Sequence, residues 1–294
     1  MNGNLNGILP IFKETGFTSH DVVAKLRGIL KTKKIGHSGT LDPNATGALP
    51  ICIGKATKIS DYMMLQPKEY IAEITFGIET ATEDIWGEVL NYSDKIPTRD
   101  EIISSIDKIN NQEIQQIPPM YSAKKIKGKK LYEYARKGEI ISREPIRVTV
   151  YQAELLRKYE NKALIRIRCS KGTYIRTLLK DLARSMDTCG TMSFLLRTLS
   201  SGISIDNCLT LEQIEHNIES IEDIMLPMEK ALSHLPKIEV DDEKYNLILN
   251  GAKISTSLDP MEQNLIYCRN EFIGIGEVLK SNHSNIIKVK KLLH

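Results

Sequence analysis

The sequence predicts an α/β (α+β) protein of two unequal parts, because strand-like alternation and helical spacing both recur along a chain of 294 residues. Tyr70, Ala72, Ile74, Phe76 and Ile78 fall on one face of an extended segment, and Ile165, Ile167 and Cys169 alternate with Arg166 and Arg168. Val22, Val23, Leu26, Ile29 and Leu30 recur at the spacing of a helix that buries one side.

That first helix is signalled by Thr18 and Asp21, a capping-box-like pair. Residues 36–50, rich in glycine and small polar side chains, read as a structured loop. Thr98 and Glu101 repeat the capping spacing ahead of Ile102, Ile103, Ile106 and Ile109. Residues 117–140 form a basic, tyrosine-containing insert with Pro118-Pro119 and Gly128, which suggests an exposed arm rather than a core element. After the turn Ser170-Lys171-Gly172, Ile175, Leu178, Leu179, Leu182 and Met186 mark one side of a helix. Arg176, Lys180 and Arg184 mark the other, a cationic stripe. Thr210 and Gln213 signal a third capped helix. The Pro236 region divides 1–235 from 236–294, where a short helix over 241–251 precedes strands at 265–268, 271–274 and 286–289. So short a tail is expected to dock on the main body, since it has little room for a core of its own.

Charge is nearly balanced, with 40 basic and 37 acidic residues and a net charge of +3, so a nucleic-acid partner has to be sought in the distribution. Lysines crowd at 31–34, 124–130 and 288–291, whereas Glu212, Glu215, Glu219, Glu222 and Asp223 gather elsewhere. One basic face produces that segregation; solvated lysines in mobile loops produce it too. Cys52, Cys169, Cys189, Cys208 and Cys268 form no CxxC pair and point to a reducing compartment. The start lacks a charged segment followed by an apolar one, and no apolar run is long enough to span a membrane. A cytoplasmic protein is expected.

The most informative stretch is 36–47, GHSGTLDPNATG. Its glycines permit backbone geometry and close substrate approach that other residues resist. Asp42 precedes Pro43 and is therefore biased away from helix, so His37 and Asp42 project from one rigid loop. An ordinary Asp-Pro turn would look the same. Other chemistries find no footing. His20, His37, His216, His234, His283 and His294 are scattered, so no metal is expected. The deaminase, P-loop, dinucleotide and Gly-x-Ser-x-Gly signatures are absent. A carboxylate, a histidine, tyrosines and arginines are left, which suits a cofactor-free site facing an anionic polymer.

Residues 36–47 resemble the catalytic motif of the bacterial tRNA pseudouridine-55 synthase (TruB) family. Three further segments agree in order and spacing: 117–125 (IPPMYSAKK), 130–136 (KLYEYAR) and 169–177 (CSKGTYIRT). The resemblance runs from about residue 7 to residue 199. It is weaker beyond Pro236, where 272–277 (FIGIGE) is similar to a PUA-like RNA-binding tail. Lys13-Glu14-Thr15-Gly16 departs from the family by carrying Glu14 where a proline is frequent, which questions a local turn and not the catalytic assignment.

The resemblance implies a pseudouridine-synthase fold: a mixed, largely antiparallel sheet with flanking helices, and a small β-rich C-terminal PUA-like domain. It implies that uridine 55 in the T-loop of tRNA is flipped out and isomerised, with no cofactor and no metal. Asp42 is then the catalytic carboxylate, attacking as a nucleophile or removing the C2′ proton. Tyr70 matches the tyrosine packed against the flipped base, although strand position alone makes it a core residue. Arg176 matches the arginine that pairs with the aspartate, although spacing alone places it in the solvated stripe. Tyr174 matches a substrate-contacting tyrosine, Leu196 an apolar residue of the uracil pocket, and His37 the histidine that enters the T-loop. Tyr121, Lys124, Lys125, Lys127, Lys129 and Lys130 belong to the arm that closes over the T-arm of tRNA and neutralises phosphates. A monomer without membrane or small-molecule partners is expected. Two rivals are a tRNA-binding folding chaperone and a guide-RNA-type pseudouridylase relative; the presence of Asp42, Tyr70 and Arg176 together favours an enzyme over the first.

Overall fold

A computed structural model describes residues 5–282 and 284–294; His283, and residues 1–4 of the start read above for a signal segment, lie outside them. The main body is built on a nine-stranded sheet. Its path runs Gly7–Lys13, Thr46–Ile53, Gly190–Ser200, Lys68–Phe76, Lys162–Cys169, Ile146–Tyr159, Gln112–Gln116. Two short strands complete it: Ile35–His37 against Thr46–Ile53, and Ile203–Ser204 against Gly190–Ser200. Every pairing is antiparallel except that of Thr46–Ile53 with Gly190–Ser200, so the sheet is mixed and largely antiparallel.

The two alternating segments become the central strands Lys68–Phe76 and Lys162–Cys169, whose inward residues are buried. Residues 46–50 differ from the expected loop. They begin the strand Thr46–Ile53, in which every residue after Thr46 is buried. A strand covered on both faces carries no polar–apolar alternation, so its period was invisible in the sequence.

All three capping pairs form. Thr18 accepts the Asp21 amide at 3.0 Å while Asp21 accepts the Thr18 amide at 2.8 Å, opening the helix Ser19–Ile29. Thr98–Glu101 and Thr210–Gln213 do the same for Arg99–Ile109 and Leu211–His216. Each cap contributes about 1 kcal/mol, which matters most to the short last helix. Ser19–Ile29 buries Val22, Val23 and Leu26 against Leu9, Ile11, Leu49 and Ile51 of the sheet. Arg99–Ile109 and Ile175–Arg184 cover Tyr70, Ala72, Ile74, Ile165 and Ile167.

A five-stranded sheet follows, ordered Lys237–Val240, Met261–Cys268, Glu271–Leu279, Asn285–Leu292, Ile254–Thr256. It has its own core around Ile238, Ile266, Ile273 and Ile287. Leu265, Ile275 and Leu293 also share a cluster with Ile8, Cys52, Ile59 and Met63, so the tail docks through apolar contact. The insert at 117–140 is a small hairpin, Lys125–Ile126 with Lys129–Lys130, followed by one turn-and-a-half of helix over Leu131–Ala135. Lys127 and Gly128 take φ of +50° and +82°, the left-handed pair that a two-residue hairpin turn requires. All five cysteines are free. No helix among the described residues is long and apolar enough to cross a membrane.

Candidate active site

The loop between Ile35–His37 and Thr46–Ile53 presents Asp42, and three buried side chains fix its path. The ammonium of Lys13, fully buried, donates to the carbonyls of Phe17 at 2.7 Å, Glu14 at 2.9 Å and Pro43 at 3.1 Å. Gly16 also donates to Pro43 at 2.9 Å, so the turn forms with Glu14 in the family's proline position. Ser19 both accepts from the Leu41 amide and donates to the Leu41 carbonyl. Arg197, with no exposed surface, donates to the carbonyls of Ala48 at 2.7 Å, Gly39 at 3.2 Å and Thr40 at 3.3 Å. Burial pushes the Lys13 ammonium down to about 8, with Asp42 acting the other way. Burial also lowers Arg197, but a guanidinium starts so high that it stays charged. Gly47 has φ of +113°, and a Cβ there would lie 2.3 Å from the Arg197 carbonyl. Only glycine lets the loop strand run that close to its parallel neighbour.

Asp42 meets Arg176 side-on. Arg176 Nε lies 2.8 Å from Oδ2 and Nη2 lies 3.3 Å from Oδ1, a two-point contact that sets the carboxylate plane. The arginine is 6% exposed and the carboxylate 38%, so the cation is buried behind while the anion faces outward. The rest of the guanidinium is also occupied. Nη1 donates to Thr82 O and Nη2 to Tyr121 O, each at 2.8 Å. Arg176 therefore ties the motif loop to the segment before Trp86 and to the base of the basic insert.

A cavity of about 940 Å³ opens at this carboxylate. Asp42, Lys68, Tyr70, Tyr174, Arg176 and Leu195 all line it. Tyr70 is 7% exposed, and burial pushes its phenol up to about 12 against the nearby Arg197 charge. It is a neutral, aromatic wall at any physiological pH. Burial likewise raises Tyr174, whose backbone is clamped by Gln116: its amide donates to the Gln116 side chain at 3.0 Å, and its carbonyl accepts from it at 3.3 Å. That clamp holds the start of the helix bearing Arg176.

Two expectations need correction, Leu196 in the pocket lining and a free cationic stripe. Leu196 does not line the cavity; its neighbour Leu195 does. Leu195 and Arg197 pair with Ala72 and Tyr70 on the inward face, so one residue's shift puts Leu196 on the opposite face beside Ile71. His37, expected at the T-loop and not in the pocket wall, lies outside the lining. It is half-buried, its Nδ1 is buried without a hydrogen-bond partner, and burial lowers its pKa, so it is neutral at pH 7. Of the insert lysines, Lys124 lines the cavity, whereas Lys125, Lys127 and Lys129 are exposed and Lys130 packs on Tyr132. The cationic stripe of Ile175–Arg184 is no free stripe. Arg176 is buried, Lys180 pairs with the buried Glu83, and Arg184 pairs with Glu79 at 2.6 Å. Spacing counted the cations and could not see the acids, Glu79 and Glu83, that the segment after Phe76 brings to them.

Lys13, Lys68 and Arg197 were not singled out from the sequence. Arg197 carried a usable signal, a charge directly after the apolar run Phe194-Leu195-Leu196, where burial requires hydrogen-bond partners. Among the described residues no group of His, Cys, Asp and Glu is arranged to hold a metal ion.

The chain is similar to known proteins over nearly all of its length. A family model described as TruB family pseudouridylate synthase (N terminal domain) matches residues 27–175. The chain is 47% identical to tRNA pseudouridine synthase B of Alkaliphilus oremlandii (strain OhILAs), over 98% of this chain and 99% of that protein. It is 46% identical to the protein of the same name from Staphylococcus haemolyticus (strain JCSC1435), again over 98% and 99%. In fold it is similar to a protein in the crystal structure of a Cbf5-Nop10-Gar1 complex, with TM-score 0.78, 25% identity and coverage of 98% of this chain and 85% of that one. The sequence motifs, the mixed sheet and the relatives converge: the chain belongs to the TruB family of pseudouridylate synthases.

Proposed function

We propose that this enzyme isomerises uridine 55 in the T-loop of tRNA, with Asp42 as the catalytic carboxylate acting on a nucleotide flipped into the cavity. The observation that carries the reading is the side-on pairing of Asp42 with a buried Arg176 at the mouth of a 940 Å³ cavity walled by Tyr70. An orienting cation behind a half-exposed carboxylate leaves one oxygen edge for the substrate and removes the rotational freedom that would otherwise slow attack. Tyr70 offers an aromatic wall for the base, and stacking of that kind is worth about 1–3 kcal/mol. Tyr174 and Leu195 close the sides.

The chemistry asked of the site is breakage of the N1–C1′ bond, rotation of the uracil and rejoining through C5. Asp42 serves either by attacking the sugar or base or by taking the C2′ proton. Extrusion of the base has to come first, because stacking inside folded RNA hides the reacting atoms. The name shared by the relatives, tRNA pseudouridine synthase B, supports tRNA as the polymer. The exposed Lys125, Lys127 and Lys129 beside the cavity suit its phosphates.

The test incubates purified protein with an unmodified tRNA transcript, without added metal or cofactor, and maps pseudouridine chemically. Conversion at position 55, lost when that uridine is replaced by cytidine, is the expected result. Absence of product, or product at another position, overturns the substrate assignment.

A further inference from the structure

Lys68 opens the strand Lys68–Phe76 two residues before Tyr70, so the two side chains leave the same face and line the same cavity. It is 7% exposed. Its ammonium donates to two backbone carbonyls, Met64 at 3.1 Å and Gln66 at 3.4 Å. An ammonium has three donors, so one is left for a ligand. Its stem packs close to the motif loop, where a Cβ on Gly39 would lie 3.6 Å from Lys68 Cε. The nearby charges are Arg197 and Lys171, both cations, while the buried Cys169 thiol is pushed up to about 11 and stays neutral. Burial first, and these cations second, bring Lys68 down to about 8. A buried ammonium beside other cations is costly unless something negative joins it.

We infer that Lys68 is a further catalytic residue, donating its free N–H to a carbonyl oxygen of the uracil lying against Tyr70 and stabilising the charge that ring acquires. This rests on the uridine-isomerase reading above. When Asp42 attacks C1′ or removes the C2′ proton, the electron pair of the N1–C1′ bond leaves with the ring. That negative charge spreads from N1 onto O2 and O4. C5 then bonds to C1′ as the Asp42 ester bond breaks or, on the other route, as Asp42 returns the proton to C2′. The C5 proton is lost to a base and N1 takes up a proton, so Asp42 is regenerated and the product is an isomer of the substrate. A fixed cationic donor at the ring edge binds the departing anion better than the neutral base, which is the condition for accelerating the step. The depth of Lys68 favours the ring over the backbone, because phosphates of a flipped nucleotide stay nearer the mouth.

Single-turnover rates at saturating tRNA, RNA affinity and thermal stability are measured for wild type, Lys68→Met and Lys68→Arg. Lys68→Met is expected to slow turnover by about 10²-fold or more, as loss of a transition-state donor does, with affinity within about 3-fold. A target 5-fluorouridine, whose ring is the better leaving group and whose rate is read as loss of the starting nucleotide because its C5 carries fluorine and no proton to release, shrinks that penalty, which a merely structural lysine would not do. If Lys68→Met does not fold, Lys68→Arg carries the comparison, since its displaced charge must raise the 5-fluorouridine to uridine rate ratio above that of wild type. A penalty below 3-fold, equal ratios, or weakened binding with a flatter salt slope in place of slowed turnover overturns the inference; the last outcome identifies a phosphate contact. Inactive wild type on the same transcript would instead sink the substrate reading itself.

Discussion

The motif loop at 36–47 and the basic insert at 117–140 both bring charge to one cavity, Asp42 from the first and Lys124 from the second, yet they are held in opposite ways. The loop is fixed from beneath by Lys13, Ser19, Arg176 and Arg197, which among them take the carbonyls of Gly39, Thr40, Leu41 and Pro43 and the carboxylate of Asp42. The insert has one fully buried side chain in its hairpin-helix unit, Leu131, and apart from Lys124 in the cavity wall the lysines at 125–130 are exposed or lie on its own tyrosines. Chemistry on a bond needs atoms fixed to within a fraction of an ångström, whereas gripping a charged polymer needs reach and adaptable contacts. On the proposed function, one element serves as a mount and the other as a clasp. The carbonyl of Tyr121, held by Arg176, is where the two are joined.

The largest effect is expected from cutting that joint. Arg176→Met should lower the single-turnover rate by about 10²–10³-fold, because Asp42 loses its orientation and the carbonyls of Thr82 and Tyr121 lose their donor. A rate within tenfold of wild type would show that the carboxylate needs no such mount. Gly47→Ala attacks the loop without touching a polar group. With φ of +113° and backbone 2.3 Å from the new Cβ, it should cost about 3 kcal/mol of stability in chemical denaturation. A loss under 1 kcal/mol would mean the strand pair yields, and the loop is less rigid than described. The smallest effect belongs to the clasp. Alanine at Lys124, Lys125, Lys127, Lys129 and Lys130 together should leave stability nearly unchanged and flatten the salt slope of tRNA binding by about 0.7–0.9 for each phosphate that is no longer neutralised. An unchanged slope would show that the insert does not touch the phosphates.

The sequence revealed the elements that obey local rules. Three capping pairs and two alternating strands are written in neighbouring residues, and all of them formed. Thr46–Ile53 was missed because full burial erases alternation. Asp42, Tyr70 and Arg176 were found through a motif pattern, not through spacing, which would have left Arg176 in a solvated stripe. The supporting cations Lys13 and Arg197 depend on carbonyls contributed by distant segments, so no local pattern announces them. Leu195 and Leu196 show the limit most plainly. Both are apolar neighbours in one strand, and only the register against Ala72 and Ile71 decides which of them faces the cavity.

Asp42→Asn, measured in single turnover on unmodified tRNA alongside a binding titration, tests the central claim most directly. The amide keeps the size of the carboxylate and can still meet Arg176, so the fold and the affinity for tRNA should hold. Pseudouridine formation should fall by at least about 10³-fold, since the group that attacks or takes the proton is gone. Turnover near the wild-type rate in a folded, tRNA-binding Asp42→Asn protein would contradict the account.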